Sequence, residues 1–273
     1  MLGSGVQSRI MIRVLAGIAG IWILLMAALW LFQRQLIYLP EQNPASAPAG
    51  VTVSTVETLD GIVHELWLVP AKSEAEARLV VFNGNAGNKS HRLPLADSLA
   101  AEGMEVLLFD YRGYGDTMGH PSEEGLLEDA RAVAGPAFDT DLPVVYFGES
   151  LGAGVATLLA ADVAPDALVL RSPFTSLSDM ARTHYRFVPT ILLRDRYEVE
   201  KAMAALHVPL LVILGAADSI VPPQLSLSVF EAANQPKRLV EMEGLDHNDP
   251  GLASGANLAE EIRVFVDEQV IAR

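Results

Sequence analysis

The chain contains no cysteine. Disulfides, a thiol nucleophile and cysteine-ligated metal are therefore excluded, while the redox compartment stays open. Positive charge is also scarce: 19 Lys and Arg stand against 34 Asp and Glu, for a formal net charge of −15. Arg9, Arg13 and Arg34 lie in the first forty residues, which hold no acid. The remainder carries sixteen bases against thirty-four acids, a net −18. Such a polyanion makes a poor partner for nucleic acid, because neutralising phosphates takes clustered Lys and Arg. Internal repeats and low-complexity segments are absent. A length of 273 residues suits one large α/β domain or two small ones.

What is present first is a long apolar run. Val14 to Phe32, VLAGIAGIWILLMAALWLF, holds no charge and is long enough to cross roughly 30 Å of hydrocarbon as a helix. It could be a cleaved signal peptide, an uncleaved anchor or a buried core helix. Signal cores run to about 7–15 residues and end at a small-x-small site. This run is longer and ends in the bulky LWLFQRQLIYLP, which favours an anchor. Trp30 and Tyr38 stand near its far end, where amphipathic rings are enriched. Arg9 and Arg13 before the span, against Arg34 after it, place the N-terminus in the cytoplasm by a slight bias. The rest then lies on the far side, the periplasm in a bacterium. The expected organisation is a tail at 1–13, a transmembrane anchor at 14–32, a linker at 33–50 and one domain at 51–273. The domain is expected to be soluble from Glu41 onward, with its strands covered on both faces.

Within the domain, short apolar runs alternate with helical patterns. Strands are expected at 51–58, 62–69, 78–83, 105–109, 143–148, 167–170, 208–215 and 237–243. Helices are expected near 90–102, 122–135, 151–163, 222–234 and 257–270. Continuous apolar runs such as PVVYFG and PLLVILG suit strands buried on both faces. The pattern predicts an α/β fold: a mostly parallel twisted sheet of about eight strands flanked by helices, with the first two strands as an antiparallel edge pair. Residues 172–205 break the alternation and read as a small insertion. Its Phe174, Tyr185, Phe187 and Ile191-Leu192-Leu193 could form an acyl-binding wall or ordinary core.

In such sheets ligands sit at the carboxyl ends of the strands, and there the polar and glycine-rich sequences cluster. GESLG (148–152) joins a strand to a helix. G-x-S-x-G alone is a weak signal, but in this context it reads as a nucleophile elbow presenting Ser150. A serine hydroxyl needs a base. The partners follow in the order Ser, Asp or Glu, His. Of six histidines, His247 alone lies beyond both Ser150 and the Asp-bearing strand end. Asp218, past LVILG and before a double proline, is the acid. Asp246 and Asp249 are rivals too close in sequence to His247 to orient its ring, and read as loop residues. For the oxyanion, the Leu151 N–H is one donor. Asn85 in NGNAGN is the best second donor, with Ala86 behind it. In DYRGYGD (110–116), Asp110 and Arg112 are expected to pair and brace the loop.

QRQLIYLP, NGNAGNKSHR, DYRGYGDTMGHPSEEGLLEDA, GESLGAGVA, SPFTSL, GAADSIVPP and GLDHND, in that order, resemble the α/β-hydrolase superfamily across about residues 30–270. More narrowly they resemble its membrane-anchored ABHD branch, which includes protein depalmitoylases and uncharacterised bacterial members. The resemblance implies Ser150 as nucleophile, Asp218 as acid, His247 as base and an oxyanion loop at Asn85. It implies hydrolysis of a carboxylic ester or thioester, with no cofactor and no metal. Asn83 stands where the family usually has His, and Thr117 where it has Ser. Substrates in view are small esters, lipids and acylated proteins. An acyltransferase with the same triad and a non-catalytic binding protein are the alternatives.

Overall fold

The computed structural model describes residues 4–272, with side chains from residue 8. Eight strands form one sheet: β1 (Thr52–Glu57), β2 (Val63–Val69), β3 (Ala77–Phe82), β4 (Met104–Phe109), β5 (Val144–Glu149), β6 (Ala167–Arg171), β7 (Leu210–Gly215) and β8 (Lys237–Met242). Each falls within two residues of its expected bounds. Their order across the sheet is β1-β2-β4-β3-β5-β6-β7-β8. The six strands from β3 to β8 run parallel, and β2 is antiparallel to both β1 and β4. β3 through β7 are buried almost throughout, as their unbroken apolar sequences require.

Helices α2 (Leu93–Ala101), α3 (Glu123–Ala137), α4 (Leu151–Asp162), α7 (Pro223–Ala232) and α8 (Ala256–Val266) occupy the expected connections. Ser122 caps α3 by accepting the Gly125 N–H, and Glu123 and Glu124 follow in its first turn, where the helix dipole favours acids. Two apolar layers result, one on each face of the sheet. Phe82, Phe109, Tyr146 and Leu159 belong to one, and Trp67, Phe147, Ile262 and Phe265 to the other. The insertion holds α5 (Leu177–His184) and the one-turn α6 (Val199–Met203).

The first helix, α1, runs unbroken from Ser4 to Ile37. The expected tail is thus helical from Ser4, and residues 1–3 lie outside the described residues. The apolar window is exposed all round, which removes the buried-core reading. Length and composition fit a membrane span.

The linker expected at 33–50 begins as the last turn of α1 and is bonded to the domain. Arg34 donates from Nε and Nη2 to the two carboxylate oxygens of Asp195, both at 2.9 Å. The Tyr38 hydroxyl reaches Asp195 at 3.2 Å and the Tyr197 hydroxyl at 3.1 Å. Gln33 donates to the Leu192 carbonyl at 3.1 Å and accepts from the Arg194 N–H at 2.7 Å. Leu39–Pro40 then pairs with Ala86–Gly87, and Ala45 and Ala47 pack on the second apolar layer. Asp195 and Tyr38 are both buried, so a chain cut at Glu41 strips a buried carboxylate of its cation.

Removing one member of a buried ion pair costs about 3–5 kcal/mol. A fragment beginning at Ala28 is therefore expected to melt well above one beginning at Glu41. Asp195→Ala in the full chain should lose about 2 kcal/mol, because Arg34 keeps some contact with water. Thermal unfolding in detergent measures both, and equal melting of the two fragments would refute the clamp.

Candidate active site

Chain order turns back at the middle of the sheet: β3 is flanked by β4 on one side and β5 on the other. The carboxyl ends of β3 and β5 therefore adjoin, with Phe82 opposite Gly148. This crevice is where open α/β sheets hold ligands. It brings residues 83–88 beside the turn after β5, although sixty-odd residues separate them.

Ser150 occupies that turn with φ 51° and ψ −114°, a conformation costing a non-glycine residue on the order of 1–3 kcal/mol. Its N–H donates to the Arg171 carbonyl at 2.9 Å. Gly152 is required here, since a Cβ would sit 1.9 Å from the Phe82 carbonyl oxygen. A Cβ on Gly148 would lie 2.6 Å from the Ala153 Cα. Leu151 is the first residue of α4, where helix geometry leaves N–H groups without an intrahelical acceptor.

Asp218 follows β7 and His247 follows β8. The His247 Nδ1 lies 2.7 Å from Asp218 Oδ2, and both residues are buried. Asp218 Oδ1 accepts N–H groups from Ile220 at 3.0 Å and Val221 at 2.7 Å. Burial pushes the Asp218 carboxyl up, but the contact with His247 and the Val221 N–H outweigh it and hold it below its ordinary value. Asp246 turns away from the ring, to Ser219 and to the His247 N–H at 2.7 Å. Asp249 accepts the Asp246 N–H at 2.7 Å. The Ser150 hydroxyl forms no hydrogen bond among the described residues and faces a cavity.

On the other side of the elbow, the Asn85 carbonyl accepts from the Leu39 N–H and the Tyr114 hydroxyl, each at 2.8 Å. The Asn85 side chain donates to the Ile37 carbonyl at 2.8 Å. The peptide is thus held from three directions, one of them the end of α1. Ala86 lies in the two-residue ladder with Leu39. Asn83 donates to the Phe109 carbonyl at 2.8 Å, bracing the loop across the sheet.

Sequence reasoning missed Glu149. It is buried, accepts the Gly84 N–H at 2.9 Å, contacts the Arg92 guanidinium and pairs with Arg171 at 3.0 Å. Arg171 in turn donates to the His247 carbonyl at 2.9 Å. Burial pushes the Glu149 carboxyl up, yet Arg92 and Arg171 overcome it and hold the value at about 2. One carboxylate thereby links the loop after β3, the turn at Ser150 and the loop that holds His247. Glu149 and Arg171 are direct cross-strand partners, so aligning the ends of β5 and β6 would have exposed the pair.

The expected pairing of Asp110 with Arg112 does not occur. Asp110 takes the Lys89 N–H at 2.6 Å and its ammonium at 3.1 Å. Arg112 binds buried Asp129, with Nε at 2.8 Å, and Asp60 at 2.9 Å. Burial leaves little water to shield either charge, so each takes a partner from another element.

The cavity holds about 490 Å³ and is lined by Ser150, Trp30, Leu36, Phe174, Met180 and Leu192 among others. Of the insertion's apolar residues, read as either an acyl-binding wall or ordinary core, Phe174, Tyr185, Leu192 and Leu193 line it. Phe187 and Ile191 are not in its lining and are exposed. Instead α1 supplies the missing wall, through Leu29 to Ile37.

A strained serine at the carboxyl edge of a parallel sheet, with a His–Asp pair on the following strand ends, defines a serine hydrolase of α/β type. The chain belongs to the α/β-hydrolase superfamily. Residues 73–195 match the family described as Hydrolase_4, serine aminopeptidase, S33. An uncharacterized protein of Mycobacterium tuberculosis is 45% identical over 254 residues, covering 89% of this chain and 90% of its own. The uncharacterized protein YfhR of Salmonella typhimurium is 32% identical, covering 77% and 79%. Lysophosphatidylserine lipase ABHD12 of Mus musculus is 34% identical over 192 residues, 62% of this chain, which spans about half of that lipase, 48%. The Pyrococcus furiosus esterase Pf2001 has the same fold, with TM-score 0.69 at 18% identity over 85% of this chain and 99% of its own.

A folded-state value of about 2 against an ordinary 4.5 means Glu149 stabilises the fold by about 3 kcal/mol when ionised. That contribution is full above about pH 4.5 and drains away as pH falls toward 2. Glu149→Gln should therefore be less stable than wild type at neutral pH, with the gap closing in acid. Denaturant melts from pH 7 down to 3 test this, and a gap constant with pH would refute it.

Proposed function

We propose that this protein is a membrane-anchored serine hydrolase that cleaves the ester or thioester of a long acyl chain. The observation that carries the reading is the position of Ser150 on an apolar cavity walled by the last turns of α1. In this reading Ser150 Oγ attacks the acyl carbon while His247 Nε2 takes its proton. Asp218 on Nδ1 fixes the tautomer that leaves Nε2 free to do so. The backbone N–H groups of Leu151 and Asn85 receive the oxyanion. His247 then gives its proton to the leaving alkoxide or thiolate, and water releases the acyl group by the same steps. A cavity of about 490 Å³ is of a size that encloses small ligands, and its largely apolar lining suits an alkyl chain. Kinship with a lysophosphatidylserine lipase supports a lipid ester.

A fluorophosphonate should label the wild type and leave Ser150→Ala unlabelled, since only an activated serine reacts. His247→Ala and Ser150→Ala should each abolish most of kcat, without adding when combined. Asp218→Asn should cost up to about 10⁴ in rate, and Asp246→Asn far less. kcat/KM should rise with acyl-chain length. A larger loss for Asp246→Asn would transfer the acid role, and a flat chain-length profile would remove the cavity from binding.

The same reading places the N-terminus in the cytoplasm and the catalytic domain beyond the membrane, on the strength of Arg9 and Arg13. Alkaline phosphatase fused after residue 273 should be active in bacterial cells, and activity of a cytoplasm-dependent reporter instead would reverse the topology.

A further inference from the structure

The insertion has two faces. Between His184 and Leu193, the side chains of Tyr185, Val188, Leu192 and Leu193 line the cavity. Phe187 and Ile191 lie outside that lining, exposed at 85% and 80%. Large apolar side chains scattered singly on a surface need no explanation. These two differ in their company and in their level.

Their company is basic. Residues 182–196 contain Arg182, Arg186, Arg194 and Arg196, a quarter of the sixteen bases beyond residue 40. The only acid among them, Asp195, is buried against Arg34. A domain of net −18 thus concentrates positive charge on one short segment. Arg182 is paired with Asp179, but Arg186 is exposed and forms no ion pair among the described residues.

Their level is fixed by α1. Gln33, the first residue after the uncharged run, is bonded to the Leu192 carbonyl and the Arg194 N–H. The Arg194 guanidinium sits 5.4 Å from the centre of the Trp30 ring. Residues 191–194 therefore stand where α1 leaves the hydrocarbon, if α1 spans the bilayer as proposed above. Exposed rings and aliphatics flanked by arginine at that depth match the chemistry of the lipid interface.

We propose that this segment is a second membrane contact. Phe187 and Ile191 enter the interface beside α1, and Arg186 meets anionic headgroups. The mouth of the cavity is thereby seated on the lipid surface, and the acyl chain passes from bilayer to Ser150 without crossing water. The proposal rests on α1 being a membrane helix, and its test separates the two.

Because the chain has no cysteine, single labels are clean. Phe187→Cys, Ile191→Cys, Leu25→Cys and Asp141→Cys would each carry an environment-sensitive fluorophore. The full-length protein would sit in phosphatidylcholine–phosphatidylglycerol vesicles containing a lipid-borne quencher. Leu25 reports on α1, and Asp141, in the loop before β5, reports on the opposite end of the sheet. Quenching at 25, 187 and 191 but not at 141 is the expected result. Quenching at 25 alone would overturn this proposal while leaving the anchor intact. No quenching at 25 would overturn both. Labels at 187 and 191 shielded from lipid and aqueous quenchers alike would indicate a protein partner there and also overturn it. In addition, Arg186→Gln should lower hydrolysis of a vesicle-borne long-chain ester by about fivefold when phosphatidylglycerol is present. It should leave a short water-soluble ester unaffected. Equal vesicle rates for wild type and variant would remove Arg186 from the contact.

Discussion

The carboxyl edge of the sheet depends on how closely α4 approaches the end of β3. A Cβ on residue 152 would overlap the Phe82 carbonyl oxygen, at 1.9 Å, and crowd that of Asn83, at 2.5 Å. With glycine there, the first turn of α4 lies directly over the neighbouring strand. The chain must leave β5 and enter the helix in a single residue, and Ser150 absorbs the reversal in its positive φ. Strain of on the order of 1–3 kcal/mol is offset by the burial of Val155, Ala156 and Leu159 along α4. The same approach sets the elbow beside the loop that begins at Asn83, so one packing contact positions both halves of the site.

Packing alone leaves three loops at that edge free to move independently. Glu149 ties them together. Burying a carboxylate without partners costs several kcal/mol, and here two guanidiniums and the Gly84 N–H satisfy it. Arg171 carries the connection onward to the His247 carbonyl, while the His247 ring is held by Asp218. The histidine is thus fixed at backbone and at ring by groups from two different strand ends. A charge so placed is also kept neutralised one residue before Ser150.

The strands were readable because burial on both faces leaves an unbroken apolar run, and the run's length gives its bounds. The placement of Asp218 and His247 on neighbouring strand ends was readable because the polar residues at this edge follow the order of the strands. Partners of buried charges were not. Asp110 and Arg112 are two residues apart, yet β4 ends between the elements that claim them, sending one to Lys89 and the other to Asp129. Nor does any local pattern show which way Phe187 faces, since residues 185–189 lie outside regular helix and strand and lack the periodicity that fixes a face. The role of Gln33 to Tyr38 was hidden for a related reason: a helix judged by hydropathy ends where charge returns, whereas this one continues to Ile37 through Gln33 and Arg34, which are bonded to the domain.

That last difference joins the apolar helix and the site into one body. Asp195 is reached by Arg34 of α1 and by Tyr38 just after it, and the Leu192 and Arg194 backbone on either side of Leu193 is reached by Gln33. The segment so gripped is also cavity lining, at Leu192 and Leu193. Asn85 closes the circuit, because its side chain holds the Ile37 carbonyl while its peptide stands beside the elbow. A tilt of α1 cannot leave the cavity unchanged when three of its last six residues, Gln33, Arg34 and Ile37, are bonded to the wall or the loop. The helix is better regarded as an element of the hydrolase domain whose other end is apolar than as a tether appended to it.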